Sequence, residues 1–267
     1  METIVFSSIR RIWLKLYSTR FFKNIVSIAR FILPKGEKIY SLHNGLKRGI
    51  DFGNDFERGT FFNVTEPKVL DKFLSLVNNG DTVIDVGAFI GKYTLLAARQ
   101  VGHQGLVISI EPNPQSYERL TRNIELNEFT NIKALNCAAG EKSGVKHFNM
   151  KSFISNIDSL NQSRVIVEVK TLDVIIKENS IESVKLVKID VEGYEYAVLK
   201  GLTDSFRKQM IKNILIEAHP IFLSNYRNSV YDIYKLLEQY GFKWEEFREP
   251  NHVEKTTFYI LAHMRGH

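Results

Sequence analysis

Residues 82–93, Thr-Val-Ile-Asp-Val-Gly-Ala-Phe-Ile-Gly-Lys-Tyr, constrain the fold of this chain more than any other stretch. Val83, Ile84 and Val86 form the short apolar run of a parallel strand buried on both faces. Gly87 and Gly91 bracket a turn, and the composition from Tyr93 to Ala98 is helical. Strand, glycine turn and helix, in that order, make the crevice at the carboxyl ends of the strands in an open α/β sheet. Asp85 sets the character of the crevice. Helix N-termini attract phosphate, and a carboxylate at the strand tip repels it. A cationic ligand is the better partner.

The same alternation continues along the chain. Leu106–Ile110 is a second apolar strand closed by Glu111, and Asn113 before Pro114 starts a helix as N-cap and first-turn proline. Ile132–Ala138 is a third strand. Val145–Met150 and Val165–Lys170 read as strands of an insertion around a polar loop, Ser152–Ser163. Thr171 or Asp173 starts a short helix. Val184–Ile189 is a buried strand that leads into Asp190-Val-Glu-Gly-Tyr-Glu and a helix ending at Gly201. Asn213–Ala218 is the next strand, with His219-Pro220 at its tip. Ser229 and Asp232 make a capping-box-like start, Gly241 ends that helix, and Lys243–Phe247 and Thr257–Ala262 are the last strands. Upstream, Thr65 N-caps a helix with Pro67 in its first turn, which Asn79-Gly80 ends. The pattern predicts a doubly wound, mostly parallel α/β sheet. The expected division is a basic amphipathic helical N-terminal extension over 1–55 and one α/β domain over 56–267.

Charge follows the same division. The net charge is +6. Residues 1–50 hold ten basic and two acidic residues, a net of +8, and the remaining 26 basic and 28 acidic residues leave the body at −2. Ile4, Val5, Ile9, Ile12, Trp13, Leu16 and Tyr17 form a helical apolar stripe in the arm. No apolar run approaches the ~18 residues of a membrane span. Arg10, Arg11 and Lys15, with no small-residue cleavage site after them, argue against a signal peptide. Two readings of the arm stay open. In one, its helices pack on the body with their basic faces solvated; in the other, residues 1–33 make a peripheral membrane contact with anionic lipid at the inner membrane face. Cys137 is the single cysteine, which excludes an intrachain disulfide and agrees with a cytoplasmic location. With no CxxC or HExxH pattern, no metal site is assigned.

Glu111 stands where an acid accepts hydrogen bonds from the two ribose hydroxyls of a nucleoside cofactor. NAD and S-adenosyl-L-methionine both carry that ribose. Gly87-Ala-Phe-Ile-Gly91 lacks the G-x-G-x-x-G turn for a pyrophosphate, so the sulfonium and ammonium groups of S-adenosyl-L-methionine fit Asp85 better. An NAD-dependent oxidoreductase is disfavoured on that ground. A non-catalytic nucleoside- or nucleic-acid-binding module draws support from the basic arm alone, and the slightly acidic body argues against a nucleic-acid partner.

Asp85–Tyr93, Glu111-Pro-Asn-Pro, Lys188-Ile-Asp-Val-Glu-Gly-Tyr-Glu and Ile216-Glu-Ala-His-Pro together resemble the FkbM-type family of S-adenosylmethionine-dependent methyltransferases, over about residues 60–245. Thr171-Leu172-Asp173 matches the family's Leu-Asp. The resemblance implies a class I methyltransferase (Rossmann-like) fold whose last strand is antiparallel, and methyl transfer most often to a hydroxyl oxygen. It implies cofactor contacts from Glu66, Asp85, Gly87, Ala88, Gly91, Tyr93, Glu111 and Asn113. Cys137 and Ala138 stand at the third strand's tip, where such a fold places its adenine contact. Glu66 reads equally as a first-turn acid facing the helix dipole, and Cys137 as a small core residue.

Asp190 and Glu192 follow the fourth core strand, and Glu217 and His219 end the fifth. On adjacent strands these groups converge beside the crevice. Methyl transfer is an in-line displacement, so placement supplies much of the acceleration, and an alcohol gains from a positioned base. His219 is the first candidate, because an unperturbed pKa of ~6.5 leaves imidazole largely neutral at pH 7. Asp190 shares that role or orients the acceptor hydroxyl or the cofactor's ammonium, and Glu192 reads either as catalytic or as a turn partner of Gly193. Asp190, Glu217 and His219 have donor types that suit a divalent cation but no spacing signature. Phe61, Phe62 and Phe153 are candidate linings of an acceptor pocket. The expected acceptor is a hydroxyl on a sugar, glycolipid or small metabolite.

Overall fold

The computed structural model describes residues 36–42, 44–54, 57, 61, 66–149, 164–249 and 256–265. The chain divides into two compact units, 1–68 with 250–253 and 69–249 with 254–267. Among the described residues no helix is long and apolar enough to cross a membrane.

In the first unit, β1 (Lys38–Ser41) and β2 (Lys47–Ile50) form an antiparallel hairpin. Gly45 takes φ 82 and donates its N–H to the Leu42 carbonyl, while the Asn44 side chain accepts the Leu46 N–H. This corrects the expected helical extension over 38–50: Gly45 supplies the left-handed residue and the Asn44 side chain holds the turn that lets two short strands pair. The rings of Tyr40, Phe52 and Phe61 pack edge to face, with centroids 4.9–5.4 Å apart. Phe61, an expected pocket lining, is part of that cluster. The apolar stripe of the arm, Thr65, Phe62 and Phe153 lie outside the described residues.

The second unit is built on β3 (Thr82–Val86), β4 (Leu106–Ile110), β5 (Ile132–Leu135), β9 (Val184–Ile189), β10 (Ile211–Ala218), β11 (Phe242–Phe247) and β12 (Phe258–Met264). The seven strands run in the order β11-β12-β10-β9-β3-β4-β5. Neighbours from β10 to β5 are parallel, and β12 lies antiparallel between β10 and β11. The central strands are buried almost throughout, so they are mostly apolar on both faces rather than alternating, with Asp85, Ser109 and Lys188 as buried exceptions. Strand order reverses at β3, which has β4 on one side and β9 on the other, and crevices in open α/β sheets form at such a point.

The helices that flank these strands are α1 (Pro67–Leu76), α2 (Lys92–Val101), α3 (Pro114–Leu126), α4 (Leu172–Glu178), α5 (Glu195–Lys200), α6 (Thr203–Arg207), α7 (Pro220–Asn225) and α8 (Val230–Gln239), among the described residues. Asn113 caps α3, Thr171 caps α4, and Ser229 with Asp232 forms the capping box of α8. Asp173, the family's Leu-Asp acid, caps α6: its carboxylate accepts the backbone N–H groups of Asp204 and Ser205 and the Ser205 hydroxyl.

The third predicted strand is divided. β6 (Ala138–Ala139) leaves the main sheet and joins β7 (Gly144–Asn149) and β8 (Arg164–Lys170) in a second sheet of order β6-β8-β7. The break follows from Asn136, whose side-chain amide donates to the Glu111 and Pro112 carbonyls and draws the chain out of line.

Candidate functional site

The turn after β3 is held by backbone geometry. Gly87 and Ala88 both donate their N–H to the Ile110 carbonyl, and Gly91 donates to Ala88. Gly87, Phe89 and Gly91 take φ 81, 49 and 94. A Cβ on Gly87 would lie 1.8 Å from the Asp190 carbonyl oxygen, and one on Gly91 would lie 2.8 Å from Leu120. Only glycine permits both the positive φ and the close approach at residue 87. Asn123, fully buried on α3, donates to the Ile90 carbonyl at 2.8 Å and ties the turn down from behind.

Ser109, Asp85 and Lys188 stand in register on β4, β3 and β9 and so share one face of the sheet. Asp85 is 1% exposed. Its Oδ2 accepts the Thr94 hydroxyl at 2.7 Å, and Thr94 accepts the Ser109 hydroxyl at 3.0 Å. Its Oδ1 is buried with no hydrogen-bond partner among the described residues. Burial pushes the Asp85 carboxyl up; the Lys188 charge and the Thr94 hydrogen bond oppose this, and the Asp190 charge adds to it. Lys188 pairs with Asp190 Oδ2 at 3.1 Å and lies 4.5 Å from the Tyr93 ring centroid. Tyr93 is buried between that ammonium and Phe73, so its ring is engaged within the protein.

Glu111 is buried at the end of β4 and accepts the Phe89 N–H on Oε2 and the Asn113 N–H on Oε1, both at 2.8 Å. Burial nonetheless pushes it up to about 7, with the Asp85 and Asp190 charges assisting. The Asn113 side-chain oxygen is spent on capping α3, and its Nδ2 is buried without a partner among the described residues. Cys137 and Ala138 are buried where the chain passes from β5 to β6, and burial pushes the thiol up to about 11. Glu66 precedes α1 with φ 55 and belongs to the N-terminal unit.

The second cluster gathers at the ends of β9 and β10. Asp190, Glu192 and His219 offer donor atoms within 4.8 Å of one another, a span that one divalent cation could bridge, although Lys188 already neutralises Asp190. His219 is 4% exposed. Its Nδ1 lies 2.9 Å from Glu195 Oε1, and its Nε2 lies 3.5 Å from Glu192 and 3.8 Å from Glu217. Burial opposes protonation, but the Glu195 hydrogen bond and the charges of Asp190, Glu192 and Glu217 outweigh it and hold the imidazole up to about 10. This departs from the free-imidazole value on which the choice of His219 as a base rests: the ring accepts a proton only in its neutral form, whose share grows as pH rises toward about 10. A hollow of about 220 Å³ beside it is lined by His219, Ile221, Phe222 and Thr256.

The structure thus brings Asp85, Gly87, Ala88, Gly91 and Glu111 to one turn, and Asp190, Glu192, Glu217 and His219 to the neighbouring strand ends. Sequence reasoning assigned no role to Glu195, Thr94, Lys188 or Asn123. The signal for Glu195 was present, as the last residue of Asp-Val-Glu-Gly-Tyr-Glu.

A family model described as the methyltransferase FkbM domain matches residues 85–244. Hexuronic acid methyltransferase AglP of Haloferax volcanii is 28% identical over 156 residues, 58% of this chain and 62% of that protein. Methyltransferase 1 of Beauveria bassiana is 30% identical over 159 residues, 51% of this chain and 63% of that protein. The matches thus span less than two thirds of these curated relatives. The solved structure of methyltransferase FkbM from Methylobacillus flagellatus shares the fold, with a TM-score of 0.50 and 17% identity over 78% of this chain and 54% of that one. With a class I strand order, an acid-tipped glycine turn and a family match over most of the α/β unit, the chain belongs to the FkbM-type methyltransferases, whose methyl donor is S-adenosylmethionine.

Proposed function

We propose that the chain methylates a hydroxyl oxygen on a sugar, glycolipid or small metabolite. The observation that carries this reading is the contact between Gly87 and the Asp190 carbonyl, which makes the donor turn and the acid–histidine cluster contiguous. S-adenosylmethionine supplies an electrophilic methyl group on a sulfonium. The residues present fit it: Asp85 keeps a buried oxygen for an ammonium, and Glu111, with each oxygen holding one backbone N–H, retains lone pairs for two vicinal hydroxyls. Gly87 leaves the space that a Cβ would fill, and the buried Asn113 amide and the Cys137–Ala138 segment complete the donor side. On the acceptor side, Asp190 and Glu192 orient the hydroxyl, and His219 in its neutral form takes the hydroxyl proton. The sugar reading draws support from AglP, named a hexuronic acid methyltransferase.

The test is calorimetric titration of S-adenosylmethionine into wild type, Asp85→Ala and Glu111→Ala. Loss of a charge-assisted hydrogen bond, about 1.5–3 kcal/mol, weakens binding by about 10- to 150-fold. Unchanged affinity in both variants would refute the assignment. Transfer of a labelled methyl group into lysate fractions, followed by mass spectrometry of the product, identifies the acceptor.

A further inference from the structure

Glu195 is the first residue of α5 and is fully buried. Its Oε1 accepts two hydrogen bonds, from the Gly193 N–H at 2.9 Å and from His219 Nδ1 at 2.9 Å. The turn that carries it is clamped by backbone packing. Gly193 takes φ 99, and a Cβ there would lie 2.5 Å from Phe222 Cβ and 2.6 Å from the Phe222 carbonyl carbon. Phe222 in turn lays its ring along the imidazole, with centroids 6.0 Å apart and 24° between planes. Both partners of the Glu195–His219 bond are therefore carried by elements packed in close contact: the β9–α5 turn and the start of α7. Nε2 is left facing Glu192 and Glu217, and the residue borders the hollow that Ile221, Phe222 and Thr256 line.

We propose that Glu195 is the positioning residue of His219: it holds the Nδ1 proton of the neutral ring and so presents Nε2, with its lone pair, to the acceptor hydroxyl. The proposal rests on the methyl-transfer reading above. A buried carboxylate in this position selects one tautomer of the neutral ring and stabilises the imidazolium formed on proton transfer. The step balances. The acceptor oxygen's electron pair forms the C–O bond while the C–S pair leaves with sulfur, the hydroxyl proton passes to Nε2, and from there it goes to water past Glu192, whose side chain is half exposed. The charged groups facing His219 are Glu195 from α5, Asp190 and Glu192 from the turn after β9, and Glu217 from β10. A carboxylate that merely tied down the Gly193 N–H would not control the tautomer of the ring.

The test uses the full chain with ¹⁵N-labelled histidine, the His219 signals being assigned by their loss in His219→Gln. In wild type at high pH, long-range ¹⁵N–¹H correlations are expected to show the proton on Nδ1 and a bare Nε2. In Glu195→Gln, which keeps an acceptor oxygen but no charge, the His219 titration midpoint moves down by about one pH unit or more. Label transfer into the active lysate fraction slows about tenfold or more, while S-adenosylmethionine affinity stays within about twofold. A neutral wild-type ring protonated on Nε2 overturns the proposal, as does an unmoved midpoint in Glu195→Gln. Should that variant not fold, the wild-type tautomer decides alone. Failure of the wild type to bind S-adenosylmethionine overturns the methyltransferase reading instead and leaves the tautomer result standing.

Discussion

Gly80 and Gly87 flank β3 and take nearly the same backbone conformation, φ 85 and 81, but differ in what surrounds them. An added Cβ meets nothing within 4 Å at Gly80, whereas at Gly87 it meets the Asp190 carbonyl oxygen at 1.8 Å and the carbonyl carbon at 2.9 Å. Alanine at either position incurs the left-handed penalty of about 1–2 kcal/mol. The gain from a less flexible unfolded chain is common to both and cancels in the comparison. Only Gly87→Ala must also push a backbone carbonyl aside, and overpacking of that kind costs about 1–3 kcal/mol more. At about 2–4 °C per kcal/mol for a domain of this size, Gly87→Ala melts about 2–12 °C below Gly80→Ala. The displaced carbonyl belongs to the strand end that carries the acid–histidine cluster, so S-adenosylmethionine affinity falls about tenfold or more in Gly87→Ala and stays unchanged in Gly80→Ala. Differential scanning calorimetry and titration calorimetry on the two variants give both readouts. Equal melting temperatures with equal donor affinities would show that the two loops are not in rigid contact, and the contiguity behind the proposed function would fail.

Asp173→Ala, which uncaps α6, lowers stability by about 0.5–2 kcal/mol in urea titrations without changing donor affinity; a loss of affinity would place Asp173 in the site instead. Glu111 has a folded-state pKa raised from 4.5 to about 7, so it contributes full stability below about 4.5 and loses it as pH rises through about 7. That change amounts to about 3 kcal/mol at most, and Glu111→Gln should remove the corresponding slope from denaturation free energies measured across the window. His219, raised from 6.5 to about 10, contributes stability that is complete below about 6.5 and is lost as pH rises through about 10. Methyl-transfer rates are expected to climb with pH over the same interval, and a rate that is flat from neutrality upward would remove His219 as the base.

The strands of the α/β core were legible because a parallel strand buried on both faces is mostly apolar on both, and Val83–Val86, Leu106–Ile110 and Val184–Ile189 are apolar apart from Asp85, Ser109, Lys185 and Lys188. Caps were legible for a similar reason: Asn113, Thr171 and Ser229 act on donors two or three residues away, within the window that a sequence displays. What stayed hidden depends on distant partners. Asn136 breaks the third strand by donating to carbonyls at the end of β4. Residues 38–50 carry apolar side chains that a helix could also use, and the pairing of β1 with β2 is settled by the turn at Asn44-Gly45. The charge state of His219 depends on four carboxylates contributed by the β9–α5 turn, α5 and β10, of which only Glu217 stands beside it in sequence. Glu195 reads in sequence as an acid near a helix start, and its role becomes visible once His219 stands 2.9 Å away.

Lys188 separates the two acidic groups. It is 2% exposed, lies opposite Asp85 in the strand register and pairs with Asp190 at 3.1 Å, so one ammonium serves the donor acid and the acceptor-side acid together. Without it, Asp85 and Asp190 would repel each other, and the Asp85 carboxyl, already pushed up by burial, would rise further. Lys188→Met keeps an aliphatic side chain of similar length but leaves the carboxylates uncompensated, a change that costs about 3–5 kcal/mol for a fully buried pair and less here, where the Asp190 side chain is 28% exposed. The more telling consequence is in binding. A protonated Asp85 no longer attracts a cation, so as pH falls the loss of affinity for S-adenosylmethionine should set in at a higher pH in Lys188→Met than in wild type. Titration of Glu111 is common to both proteins and drops out of the comparison. Equal pH dependence in the two would mean that Asp85 does not hold the cationic end of the donor, and the charge logic of the site would have to be rebuilt around Glu111 alone.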